Sequence, residues 1–145
     1  MISLSSLLMA ASAAVILLLG LAHLLFTFRG SKLHPRDAAL AASMKQVSPV
    51  LTRQTTMWKA WVGFNASHSN GAIFFGLVYG YLALAQPVLL FSSFFLLLVG
   101  LALLLGYVLL ARAYWFSIPL RGITASTVLY LAALAVNQTS IGGFQ

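Results

Sequence analysis

The stretch WKAWVGFNASHSNGAIFFG, Trp58 to Gly76, decides how this chain is read. Its second half is apolar enough to enter a membrane. Its first half sets Asn65, Ser67, His68, Ser69 and Asn70 just where the chain goes in. Polar side chains are unfavourable in hydrocarbon unless paired, so these must turn toward protein rather than lipid.

The rest of the chain supports a membrane setting. Of 145 residues, 61% are hydrophobic and 6% charged, against roughly 25% charged in ordinary globular proteins. Such a chain cannot cover its surface with polar groups in water, which makes it an integral membrane protein; its length suggests one domain over 1–145. The opening run MISLSSLLMAASAAVILLLGLAHLLFTFRG lacks a basic n-region and exceeds a typical signal-peptide core, so it is expected to remain as a helix.

About 20 apolar residues in a helix cross a bilayer core of ~30 Å. Four stretches meet that requirement: Leu4–Phe28, Trp61–Leu84, Val88–Ala111 and Pro119–Val136. Gln86-Pro87 predicts a tight turn between the second and third. Arg112, Tyr114 and Trp115 form an interfacial anchor before the fourth. The expected fold is all-α: a polytopic membrane protein, a four-transmembrane-helix bundle with a short cytoplasmic interfacial helix.

Charge sets the orientation. The net charge is +7, and the basic residues Arg29, Lys32, Arg36, Lys45, Arg53, Lys59, Arg112 and Arg121 all fall in two inter-span segments. The positive-inside rule puts those segments in the cytoplasm, with both termini outside the inner (plasma) membrane. The same clustering argues against nucleic acid as a partner, because no stripe of base-reading and stacking residues accompanies it. Without cysteine there is no disulfide framework and no thiolate metal site.

In the cytoplasmic segment 29–60, DAALAASMKQ is rich in helix formers, with Leu40 and Met44 at i, i+4. Ser48-Pro49 has the form of an N-cap followed by proline at the first helical position. A helix starting there and running through the second span would cover about 37 residues, ~55 Å.

Helical spacing sorts the opening stretch into faces. Gly63, Ser67 and Gly71 make a small-residue stripe suited to close helix approach, as does Gly76-xxx-Gly80. Trp58, Trp61, Asn65, His68 and Ala72 lie roughly opposite. Measured from Lys59, Asn65 sits ~9 Å and His68 ~13 Å inside; His23 sits ~9 Å in from Arg29, with Thr27 one turn below. Tyr107 above Arg112, and Thr124 and Thr127 after Arg121, reach similar depths. The expectation is a polar pocket in the cytoplasmic half, opening on that leaflet. Its ligand-binding residues are His68, Asn65, Trp61, His23, Trp58, Tyr107 and Arg112. The plainer alternative is interhelical hydrogen bonding, expected above all for Ser67, Ser69, Thr124, Ser126 and Thr127. His34 is expected to be solvated.

The chemistry open to this layer is narrow. Asp37 is the only carboxylic side chain, which excludes paired-carboxylate mechanisms and carboxylate-rich di-iron sites. No G-x-S-x-G elbow is present. Two histidines with no third ligand make a poor zinc centre, so no metal site is expected. A haem between His23 and His68 is conceivable, but no second signature supports it, and the expected cofactor is none. Aromatic walls with convergent polar groups suit a hydrophobic or amphiphilic small molecule: a lipid, a quinone or a sterol-like compound. The alternative is a non-catalytic accessory subunit of a larger membrane complex, with membrane lipids and a protein partner or second copy against Phe74, Phe75, Tyr79 and Tyr81.

HLLFTF at the end of the first span, together with Trp61, Gly63, Phe64, Asn65, Ser67 and His68, resembles an uncharacterised family of small bacterial four-helix membrane proteins with a W-x-G-F-N-x-S-H core. In that family the core follows a cytoplasmic segment with a proline and an acidic residue, matched here by Pro35 and Asp37. The resemblance implies the four-span topology and no activity.

Overall fold

The structure, a computed structural model, describes residues 2–142, with side chains through 138. Residues 143–145, which the charge argument sets outside the membrane, lie beyond the described part. The described residues form six helices and no strand: α1 Leu4–Phe28, α2 Ala38–Gln46, α3 Met57–Ala85, α4 Pro87–Ser92, α5 Phe94–Tyr114 and α6 Ser117–Gly142. Three helices are long and apolar enough to cross a membrane: α1 over 25 residues, α5 over 21, and Ser117–Gln138 of α6 over 22. The protein is therefore a multi-pass membrane protein. α3 is longer, at 29 residues, but the polar run Asn65–Asn70 lowers its apolar character.

Local chemistry places the helix ends. α1 stops at Phe28 because Gly30 adopts φ 81°, the left-handed conformation that closes a helix C-terminus. Asp37 caps α2, its carboxylate accepting from Ala39 N at 2.8 Å and Leu40 N at 3.4 Å. The helix expected from Ser48-Pro49 does not form. Residues before proline avoid the helical region, and here Thr52 N donates to Pro49 O at 3.2 Å while Gln54 N donates to the Thr52 hydroxyl at 3.1 Å. These local bonds compete with helix. α3 instead begins at Met57, capped by Thr56, whose hydroxyl accepts from Lys59 N. The third apolar stretch is likewise interrupted. Pro87 opens the short α4, and Ser93 then caps α5 by accepting from Leu96 N at 3.3 Å.

The chain divides into two compact units, one of Met1–Leu19 with Ala72–Gln145 and one of Gly20–Gly71, where the sequence alone suggested a single domain. In the first unit, α1 touches α3 and α6, and α5 touches the same two helices. Gly76 brings α3 against α1: a Cβ there would lie 2.5 Å from the Leu17 Cβ and 2.9 Å from the Ala13 carbonyl oxygen. Ser12 and Ser126, both fully buried, join α1 to α6; each hydroxyl donates to the other's backbone carbonyl, at 2.8 and 2.9 Å. Tyr79 on α3 and Tyr130 on α6 donate to the Leu96 and Leu97 carbonyls of α5, at 2.6 and 2.9 Å. Gly100 lies under both rings, where a Cβ would come within 2.6 Å of each. Phe75 and Tyr79, expected to face a partner, are buried here, while Phe74 and Tyr81 are exposed.

In the second unit, the end of α1, the loop carrying α2 and the start of α3 pack around aromatic and basic side chains. The Lys32 ammonium sits 3.9 Å from the Phe26 ring centroid. The exposed His34 is more than solvated, since its ring meets Trp58 edge to face at 4.6 Å.

Candidate functional site: a histidine–asparagine cluster

Helical periodicity puts Trp61, Asn65 and His68 on one side of α3, and within the second unit that side meets His23 of α1. His23 Nε2 lies 2.9 Å from Asn65 Oδ1, and Asn65 Nδ2 donates to the Trp61 carbonyl at 2.8 Å. The second bond fixes the amide orientation. Only a nitrogen can donate to a carbonyl, so Oδ1 faces His23 as an acceptor. His23 Nε2 therefore carries a hydrogen and donates. One backbone carbonyl thus orients the hydrogen bond of a histidine on another helix. His68 stands edge-on to His23, ring centroids 5.4 Å apart at 84°. His23, Asn65 and His68 are half-buried.

Around this cluster, Thr27 donates to the His23 carbonyl and Ser69 to the Asn65 carbonyl, both at 2.8 Å. These bonds satisfy the hydroxyls on their own helices. Trp61 is exposed along its body and ties its indole Nε1–H to the Leu33 carbonyl at 3.0 Å, which pins the loop to α3. Trp58 packs on His34 and lies 6.0 Å under Lys45.

Four of the expected ligand-binding residues, His23, Asn65, His68 and Trp61, thus come together, with Trp58 one turn away. Tyr107 and Arg112 belong to the other unit. There Tyr107 packs on Trp115, ring centroids 6.3 Å apart, and Arg112 is exposed in the last turn of α5. Also in that unit, an open groove follows α6 past Leu120, Arg121, Thr124, Ala125, Val128 and Leu129.

The expected interhelical glue is mostly not glue. Ser67, Ser69 and Thr127 bond to carbonyls of their own helices, and only Ser126 of that set bonds across helices. Its partner Ser12 lies in the half of α1 away from the polar layer expected on the cytoplasmic side. The signal was there in the serines of LSSLLMAAS, but nothing in spacing distinguishes a buried serine from a lipid-facing one. The small-residue stripe of α3 also splits: Gly76 is packed, whereas Gly63 has open space where a side chain would be.

A haem held from both faces by His23 and His68 would need both rings to point a nitrogen at one iron. The edge contact between the rings would have to be given up first, whereas the His23–Asn65 bond engages Nε2 and leaves Nδ1 outside it. Among the described residues no group of three or more histidine, cysteine or acidic side chains could hold a metal ion. Comparison with protein-family models, with curated proteins and with solved structures returns no match for this chain.

Proposed function

We propose that the protein is a four-span protein of the bacterial inner membrane, with both termini outside and residues 29–60 in the cytoplasm, and that it binds a hydrophobic or amphiphilic small molecule at the histidine–asparagine cluster. α3 is the fourth span, and α2 is an interfacial helix on the cytoplasmic side. The observation that carries the reading is the His23–Asn65 hydrogen bond at 2.9 Å. A half-buried, orientation-locked imidazole offers directional contact to one polar head group, such as a hydroxyl or carbonyl. Lipid, quinone and sterol-like molecules combine such a head with an apolar body, and Trp61 and Trp58 supply aromatic surface beside it.

The test is mass spectrometry of small molecules that co-purify with the wild-type chain and with His68→Ala, together with an absorbance spectrum. A stoichiometric species present in the first and lost from the second is the expected result. Bulk lipid alone in both preparations would sink the proposal.

One observation favours a second reading, a non-catalytic accessory subunit or homo-oligomer. Gly63, Ser67 and Phe64 form an exposed, unfilled side of α3, with Phe64 76% exposed. Small residues of this kind let another helix approach closely. Co-migration with larger membrane proteins in mild detergent would favour that role.

A further inference from the structure

The segment between α2 and α3 closes into a loop of its own. Met57 N donates to the Val47 carbonyl at 2.8 Å, which brings the two ends together. The Pro49–Thr52 turn forms the tip, and the two residues inside that turn are Val50 and Leu51. Turn tips are ordinarily Gly, Asn, Asp or Ser. Here they are the two most exposed large apolar residues described, Val50 at 109% and Leu51 at 94% of full exposure. Val47 and Met57 at the base are exposed as well. The tip is thus held out by backbone bonds, with its aliphatic side chains almost wholly uncovered by the chain.

Charge around the loop is of one sign. Lys45 ends α2, Arg53 follows Leu51 by two residues, and Lys59 lies in the first turn of α3. The chain's single carboxylic side chain, Asp37, is engaged in capping α2. The loop hangs between α1, which is a membrane-crossing helix by length and composition, and α3. Anionic leaflets attract juxtamembrane basic residues, and interfacial aliphatic side chains settle ~5–10 Å into the headgroup boundary. A protein-docking hot spot would more typically seat its anchor in a well-packed, desolvated patch, whereas two bare aliphatics flanked by Lys45, Arg53 and Lys59 with no packed surface around them match a lipid surface.

We infer that the Val50–Leu51 tip inserts into the headgroup layer of an anionic leaflet of the membrane the protein itself spans, with Lys45, Arg53 and Lys59 meeting lipid phosphates. The loop is then a second, reversible membrane contact whose engagement depends on lipid charge. It is independent of what binds at His23 and Asn65.

The absence of cysteine makes the test direct. Full-length Leu51→Cys carries a polarity-sensitive dye, and Gln54→Cys serves as the comparison site; the exposed Leu51 side chain contributes nothing to the fold. Each is placed in nanodiscs of phosphatidylcholine alone and of phosphatidylcholine with phosphatidylglycerol, and is quenched with acrylamide, a neutral aqueous probe. In anionic discs the dye at 51 should be quenched less than the one at 54, and each basic residue lost should weaken the loop's association with the surface by about fivefold. Arg53→Gln with Lys45→Gln should abolish that shielding. Equal quenching at the two sites in anionic discs would overturn the inference. So would shielding that persists in neutral discs or in detergent, which would point to a protein contact or a second copy.

Discussion

His23 Nε2 and Asn65 Oδ1 stand 2.9 Å apart on helices whose residues are 42 positions apart in the chain. The bond is directional because Asn65 is already committed to the Trp61 carbonyl.

A double-mutant cycle on His23→Ala and Asn65→Ala should show a coupling of ~0.6 kcal/mol, and no more than about 1.7, the span found for such bonds in membranes. Thermal unfolding of the detergent-solubilised chain measures it. His34→Ala, which loses only an exposed ring contact, should stay within about 0.5 kcal/mol of wild type. Zero coupling would mean that the two side chains do not depend on each other.

Ser12 and Ser126 form a reciprocal pair. Each hydroxyl donates to the other residue's backbone carbonyl, and the two hydroxyl oxygens are themselves 2.8 Å apart. Ser12→Ala and Ser126→Ala should each lower stability by about 0.5–1.5 kcal/mol, and the double variant should depart from their sum by at least about 0.5 kcal/mol because the side chains touch. Ser12→Leu should be far worse, because the site is completely buried. Guanidinium-free thermal melts followed by gel filtration suffice to rank them.

Glycines on the same helix should separate cleanly. Gly76→Ala puts a methyl 2.9 Å from the backbone of α1, an overpacking expected to cost about 1–3 kcal/mol. Gly63→Ala meets no atom within 4 Å and should be neutral, or stabilising by up to about 1 kcal/mol from helix propensity. If Gly63→Leu disperses a complex that Gly63→Ala leaves intact, the open stripe is a partner surface.

Asp37→Ala should selectively loosen α2. A helix of 9 residues with no buried side chain is marginal without its cap, and the substitution is expected to cost ~1 kcal/mol locally. Amide hydrogen exchange should speed up across Ala38–Gln46 and stay unchanged across α5.

Topology can be read by cysteine labelling on the cysteine-free background. Gln54→Cys and Gln86→Cys should react with a membrane-impermeant maleimide from opposite faces, with residue 86 reached from outside intact cells. Labelling of both from the same side would reject α3 as a span.

The membrane class and the positions of the long apolar helices were legible because hydropathy and length are sums over neighbouring residues. The polar residues of the candidate site were legible for a related reason. In an otherwise aliphatic chain, a histidine or asparagine stands out, and helical periodicity puts Asn65 and His68 on one side. Helix boundaries were less so. Ser48-Pro49 satisfies the local rule for a helix start as well as Thr56 does, and the bonds Thr52 makes with its neighbours decide between them.

By itself, then, the sequence determined that this protein lives in a membrane and where its apolar helices lie; the expectation that the whole polar run turns toward protein fails for Ser67 and Asn70, which are exposed, while Ser69 is fully buried. Only the tertiary structure decided the partners. Ser12 finds Ser126, Gly76 is packed while Gly63 is open, and Asn65 meets His23. Those outcomes depend on the rotation and register of one helix against another. Packing sets both over many weak contacts, and no single stretch of residues encodes them.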